Sequence, residues 1–176
     1  MGFEKIHIIA ALVENRPGVL YSVANMFRRR NFNIESITVG SVNDDLARMT
    51  ITIKGDEKTV EQLVKQLRKL IDVVKISMLD ADKSVTRELA LIKIHAPEER
   101  VRADILHYTD IFRGHVVDAS PETLTIEITG SPDKIDAFIN LMRTFGIKEL
   151  VRTGVAALSR GGKSIEVNSD ESGGGL

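Results

Sequence analysis

The sequence predicts an α+β chain built as two tandem βαββαβ units. Three observations predict it. Strand and helix patterns alternate in that order twice, apolar positions recur at a constant offset of 75 residues, and the polar stretch Asp80-Ala81-Asp82-Lys83-Ser84 separates the halves. At 176 residues the chain is long enough for two small domains, each with its own core.

Lys5 to Val13 is apolar and β-branched enough for a buried strand, and Glu14-Asn15-Arg16-Pro17-Gly18 punctuates it. A helix follows from Val19, because Val19, Leu20, Val23, Ala24 and Phe27 form one apolar face. Arg28-Arg29-Arg30 ends that helix, where cations complement the dipole, and Asn31-Phe32-Asn33 turns the chain. The strands Ile34 to Val42 and Arg48 to Lys54 flank the turn Asn43-Asp44-Asp45, a hairpin pattern. Gly55-Asp56 precedes a second helix marked by Val60, Leu63, Val64, Leu67 and Leu70, and Val73 to Leu79 is the fourth strand.

The second half repeats the order: strand Glu88 to His95, helix Pro97 to Tyr108, strands Gly114 to Ala119 and Thr123 to Thr129, helix Pro132 to Arg143, strand Glu149 to Leu158. The offset takes Ile51, Ile53, Gly55, Val60, Leu63, Val64 and Leu67 onto Ile126, Ile128, Gly130, Ile135, Phe138, Ile139 and Met142 without a gap. The predicted domains are 1–80 and 87–160, with a linker over 81–86 and a flexible, glycine-rich tail over 161–176. Each βαββαβ unit is the split-βαβ, ferredoxin-like arrangement, an antiparallel sheet with both helices on one face. The other face then lacks cover and the edges are open; such a sheet finds another, from the second domain or a second subunit, which predicts a homo-oligomer.

Composition narrows the function. With 24 Lys+Arg against 25 Asp+Glu the chain has no global attraction for nucleic acid, and Arg28–Arg30 is its one basic run. It has no cysteine, hence no disulfide, thiolate ligand or thiol nucleophile. Neither a signal peptide nor a membrane span is legible, so a cytoplasmic protein without membrane association is expected.

No catalytic constellation stands out. His7, His95, His107 and His115 lack metal-ligand spacing, Asp44-Asp45 and Asp80/Asp82 suit turns, and neither catalytic nor metal-binding residues are expected. Pro17-Gly18 between strand and helix has two readings: a plain helix start capped by Asn15, or a site where free helix amides meet a carboxylate. Asn33 is either a turn asparagine or a neighbour of the same edge. Ile111-Phe112-Arg113-Gly114 pairs an apolar aromatic with an exposed arginine, which suits either a partner contact or the start of a strand with Phe112 in the core.

Leu12-Val13-Glu14-Asn15-Arg16-Pro17-Gly18-Val19-Leu20, Asn31-Phe32-Asn33-Ile34-Glu35-Ser36-Ile37-Thr38-Val39-Gly40, Arg87-Glu88-Leu89, Ile111-Phe112-Arg113-Gly114 and Gly154-Val155-Ala156-Ala157-Leu158-Ser159-Arg160-Gly161 together resemble the regulatory small subunit of acetolactate synthase, also called acetohydroxyacid synthase. The resemblance runs from about Lys5 to Gly161. It implies an N-terminal ACT domain that senses a branched-chain amino acid, usually valine, followed by a C-terminal ferredoxin-like domain. It also implies a non-catalytic chain that forms a homodimer through its ACT domains. That chain binds a thiamine-diphosphate-dependent large subunit, raises its activity and confers end-product inhibition on branched-chain amino acid biosynthesis. Thiamine diphosphate, Mg and FAD then belong to the large subunit. Carried over by position, the effector site comprises Asn15, Pro17, Gly18, Val19 and Leu20, with Asn33 and Ile34 from across the dimer. Arg16-Pro17 departs from relatives with a non-proline residue before the glycine. The alternatives are a free-standing amino-acid-sensing ACT protein that controls another enzyme or regulator, and a small enzyme acting alone.

Overall fold

The computed structural model describes residues 5–165, so the predicted tail from 166 onward lies outside the described residues. Backbone packing divides the described chain into two units: residues 5–85 together with 157–165, and residues 86–156.

The first unit runs β1 (Lys5–Glu14), α1 (Val19–Arg29), β2 (Ser36–Ser41), β3 (Leu46–Gly55), α2 (Glu57–Leu67) and β4 (Val73–Leu79). Its antiparallel sheet has the order β2-β3-β1-β4, with Ile9 opposite Ile51 and Ser36 opposite Thr52. Val19, Val23 and Phe27 of α1 and Val60, Leu63, Val64 and Leu67 of α2 pack on Ile9, Ala11, Val13, Met49, Ile51 and Ile53. These are the periods of 3.6 and 2 in the sequence, meeting as one core. Asp56 caps α2 by accepting from Thr59 N at 2.9 Å. α1 ends in a Schellman motif: Phe32 N donates to Phe27 O, Asn31 N donates to Arg28 O, and Asn31 takes the left-handed φ of +56°.

The chain from 157 on joins this unit because Arg160 N donates to Lys83 O at 2.7 Å and Arg48 Nη2 to Ala157 O at 2.9 Å. Desolvation lowers the Arg48 pKa. The sheet face turned from the helices is buried at Ile8, Ala10 and Leu12 of β1.

The second unit holds β5 (Ser84–His95) from Thr86 on, α3 (Glu99–Ile111), β6 (His115–Ala119), β7 (Thr123–Gly130), α4 (Pro132–Met142), a 3-10 turn over Arg143–Phe145 and β8 (Ile147–Arg152); β9 (Ala156–Ser159), which belongs to the first unit from Ala157 on, pairs with β5. The sheet path is β6-β7-β5-β8. Ile105 of α3 and Ile135, Phe138, Ile139 and Met142 of α4 close a second core over Ala90, Ile92, Ile94, Leu124, Ile126 and Ile128.

Most boundaries shift by one or two residues, and three differ by more. Residues 84–86, placed in the linker by composition, open β5, since Ser84 Oγ donates to Asp80 O at 2.6 Å and the turn leads directly into the strand. α3 runs on to Ile111 instead of stopping at Tyr108. The strand predicted over Glu149 to Leu158 breaks at Thr153-Gly154-Val155, where Leu89 N donates to the Thr153 hydroxyl at 3.0 Å in place of a carbonyl.

Candidate functional site

The loop between β1 and α1 is fixed from two sides. Asn15 N donates to Asp45 O at 2.7 Å and Asn15 Nδ2 to Asp44 O at 3.2 Å, which ties it to the β2–β3 turn. That turn is itself organised by Asn43, whose Oδ1 accepts from Asp45 N and Leu46 N. On the other side Arg16 bridges Glu14, at 2.6 Å, and Asp72. Asp72 is 8% exposed, and its carbonyl accepts from Glu14 N at 2.9 Å. The sequence reading missed Asp72 as a loop support, because nothing local ties it to Arg16.

One detail of the expected helix start changes: Asn15 does not cap α1, since its amide faces the hairpin turn. Pro17 stands outside the helix, because Gly18 is the N-cap at φ +91°, ψ −15°, a left-handed conformation that ends any helical run through it. No side chain caps α1 and no acid stands in its first turn, so the Val19 and Leu20 amides point out of the helix start with the positive end of its dipole. A Cβ at Gly18 meets no atom within 4 Å, so the approach to these amides is open. Val19 is buried in the core and Leu20 is 50% exposed beside the opening.

Asn33 and Ile34 are not brought to this loop. They precede Ser36, which pairs with Thr52, itself opposite Ile8. The seven residues from Ile8 to Asn15 span about 23 Å of extended strand. Within one copy the two groups therefore lie at opposite ends of the sheet. Asn33 is exposed, with Nδ2 on Glu35 Oε1 at 3.3 Å, and Ile34 is partly buried against the first core. Two cavities of the first unit lie elsewhere: about 460 Å³ beside Asn25, Arg29, Gln66 and Lys69, and about 540 Å³ beside Lys5, His7, Gly55 and Met78.

The stretch 111–114 closes α3 rather than starting a strand. Ile111 is 59% exposed and Arg113 is exposed, while Phe112 packs on Phe138 with ring centroids 5.2 Å apart. Gly114 is buried, and a Cβ there meets Glu127 O at 3.0 Å. The stretch thus presents Ile111 and Arg113 outward on a base formed by Phe112 and Gly114. Among the described residues no three His, Asp or Glu are grouped to hold a metal, and no helix is long and apolar enough to cross a membrane.

Known proteins share this architecture and sequence. Residues 9–75 match the ACT domain described as AHAS small subunit-like, and residues 87–161 match the family of the small subunit of acetolactate synthase. The chain is 56% identical over 160 residues to the "Probable acetolactate synthase small subunit" of Methanothermobacter thermautotrophicus, covering 90% of this chain and 95% of that one. It is 50% identical over 155 residues to the acetolactate synthase small subunit of Aquifex aeolicus, covering 88% and 81%. The crystal structure of the Thermotoga maritima acetolactate synthase small subunit superposes with a TM-score of 0.83 at 46% identity, over 89% of this chain and 98% of that one. With both halves matched and relatives of this identity spanning nearly its whole length, the chain belongs to the acetolactate synthase small-subunit family and carries that family's ACT domain.

Proposed function

We propose that the chain is a non-catalytic regulatory subunit that binds valine or a related branched-chain amino acid and transmits its level to a thiamine-diphosphate-dependent large subunit. It activates that subunit and makes it subject to feedback inhibition. The observation that carries the reading is the start of α1: an uncapped helix N-terminus behind a left-handed Gly18 with clear space in front of it. A ligand carboxylate is stabilised on the Gly18–Leu20 amides. Asn15 holds its nitrogen on Asp44 O, which leaves its oxygen to accept from the ligand ammonium, and Pro17 stiffens the loop.

Valine spans little more than one residue of extended chain, ~4 Å. It therefore reaches Asn33 and Ile34 only if they come from a second copy. The reading accordingly includes a homodimer formed at the ACT domains, where the β2 edge and the exposed Val39, Val42 and Leu20 supply pairing groups and apolar area. Asn33 then adds a second acceptor and Ile34 an apolar wall. Effector binding changes activity because the large subunit has different affinities for the liganded and unliganded pair. Ile111 and Arg113, set on Phe112 and Gly114, are the proposed contact with that subunit.

The test is inhibition of the reconstituted complex by valine. Gly18→Asp places a carboxylate where the ligand's belongs, so inhibition disappears while activation persists. Unchanged inhibitory potency in that variant refutes the site.

A further inference from the structure

Three cations from three elements converge at the C-terminal end of β7. Glu88 lies opposite Gly130, so Arg87, one residue back on β5, stands beside the start of α4. His115 lies opposite Glu127, so Arg113, two residues back, stands beside Thr129. Lys134, in the first turn of α4, lays its stem against Gly130 and donates from Nζ to Thr129 O at 2.9 Å. The Lys134 ammonium is held below its ordinary pKa, first by burial and then by the charges of Arg113 and Arg87.

No carboxylate within the described chain neutralises the three. Glu88, next to Arg87, and Asp136 of α4 are both taken by Arg152, with Nε to Glu88 Oε2 at 2.6 Å and Nη1 to Asp136 Oδ1 at 2.5 Å. Asp133, beside Lys134, and Asp110 and Glu127 form no ion pair among the described residues. The fold leaves three like charges together and directs the compensating acids elsewhere.

The backbone points the same way. α3 ends in a Schellman motif, with Gly114 N donating to Thr109 O at 2.8 Å and Arg113 N to Asp110 O at 3.0 Å, which puts Arg113 at φ +55°. α1 ends identically, but with Asn31, a residue tolerant of left-handed backbone. Arginine at that position is conformationally unfavourable, and its exposed guanidinium makes no hydrogen bond or ion pair inside the described chain that offsets the cost.

We propose that Arg87, Arg113 and Lys134 form a carboxylate-binding anchor that receives an acidic side chain of the catalytic large subunit. This rests on the regulatory-subunit reading above and extends its contact from Ile111 and Arg113 to a site with defined chemistry. The two guanidiniums offer planar donor forks to a carboxylate, and the Lys134 ammonium adds a point charge.

The test titrates the full-length chain into the large subunit by calorimetry at low and high salt. Arg113→Gly relieves the left-handed residue, so this variant melts at or above the unaltered chain yet binds the large subunit at least about tenfold more weakly. Arg87→Gln combined with Lys134→Gln gives a comparable loss and a shallower dependence of Kd on salt. Arg113→Lys retains part of the affinity, because charge persists without the planar fork. If the unaltered chain binds and all three variants bind equally well, this proposal is overturned and the regulatory reading stands. If the unaltered chain fails to bind any acetolactate synthase large subunit, the regulatory reading falls and takes this proposal with it. Stabilisation of the isolated chain by inorganic phosphate, lost in the double variant while subunit affinity is unchanged, assigns the cluster to a free anion and likewise overturns the proposal.

Discussion

Replacing Gly18 by alanine separates backbone conformation from packing, because a Cβ there meets nothing within 4 Å. The cost is then conformational. At φ +91° an L-residue pays about 1–2 kcal/mol for the left-handed region, partly offset by about 0.4–1 kcal/mol from a less flexible unfolded chain. The net loss is about 1 kcal/mol, which lowers Tm by about 2–4 °C in a chain of this length. Gly40→Ala is the control: its Cβ also enters open space, and its backbone is not left-handed, so stability holds or rises slightly. Urea unfolding of both variants beside the unaltered chain gives the difference. The same methyl group stands in the path of a carboxylate approaching the α1 amides, so valine affinity in Gly18→Ala falls at least about tenfold. Equal stability of the two variants refutes the backbone argument, and unchanged valine affinity refutes the site.

Other perturbations follow from the same geometry. Asp72→Ala releases Arg16 and costs about 1 kcal/mol, since Arg16 is half exposed, and it weakens valine binding by loosening the loop, as calorimetry will register. Thr59 hydrogen bonds hold the Asp56 carboxylate below its ordinary pKa, so its capping stabilises the fold above the unfolded-state value and is lost as pH falls through the folded one. Asp56→Asn keeps an acceptor but removes the titration, so the stability lost on acidification from about pH 5 to pH 3 is smaller in the variant. Phe138→Ala removes a fully buried ring against Phe112 and costs about 3–5 kcal/mol, whereas Ile111→Ala, at a 59% exposed residue, changes stability by less than about 0.5 kcal/mol and weakens large-subunit binding. Thermal unfolding paired with a pull-down distinguishes these two.

Much of the fold was legible because its signals are local. The offset of 75 residues holds in three dimensions: Ile51 and Ile53 in β3 fill the same buried, helix-facing positions as Ile126 and Ile128 in β7. What the sequence hid is carried by distant partners. Asn15 meets Asp44 at a separation of 29 residues, Arg16 meets Asp72 at 56, and Arg152 meets Glu88 at 64. No periodicity encodes such pairs, so Asn15 looked like a helix cap. The far end of α3 was obscured because only Ile105 and Thr109 are buried along it, which leaves its apolar stripe weak. Asn33 could be a turn asparagine or a neighbour of the same edge as Asn15, and the register of β2 on β3 puts it at the far end of the sheet within one copy.

That separation gives the most direct test of the central claim, an effector site shared between two copies. Asn15→Ala and Asn33→Ala are purified separately, valine binding is measured by calorimetry on each, and then on an equimolar mixture after subunit exchange. Each variant alone binds poorly, because every site lacks one asparagine. In a mixed dimer one site combines the intact Asn15 of one copy with the intact Asn33 of the other, so binding returns at roughly a quarter of the sites under random pairing. Failure of the mixture to regain any binding, with subunit exchange verified, contradicts a site shared between copies.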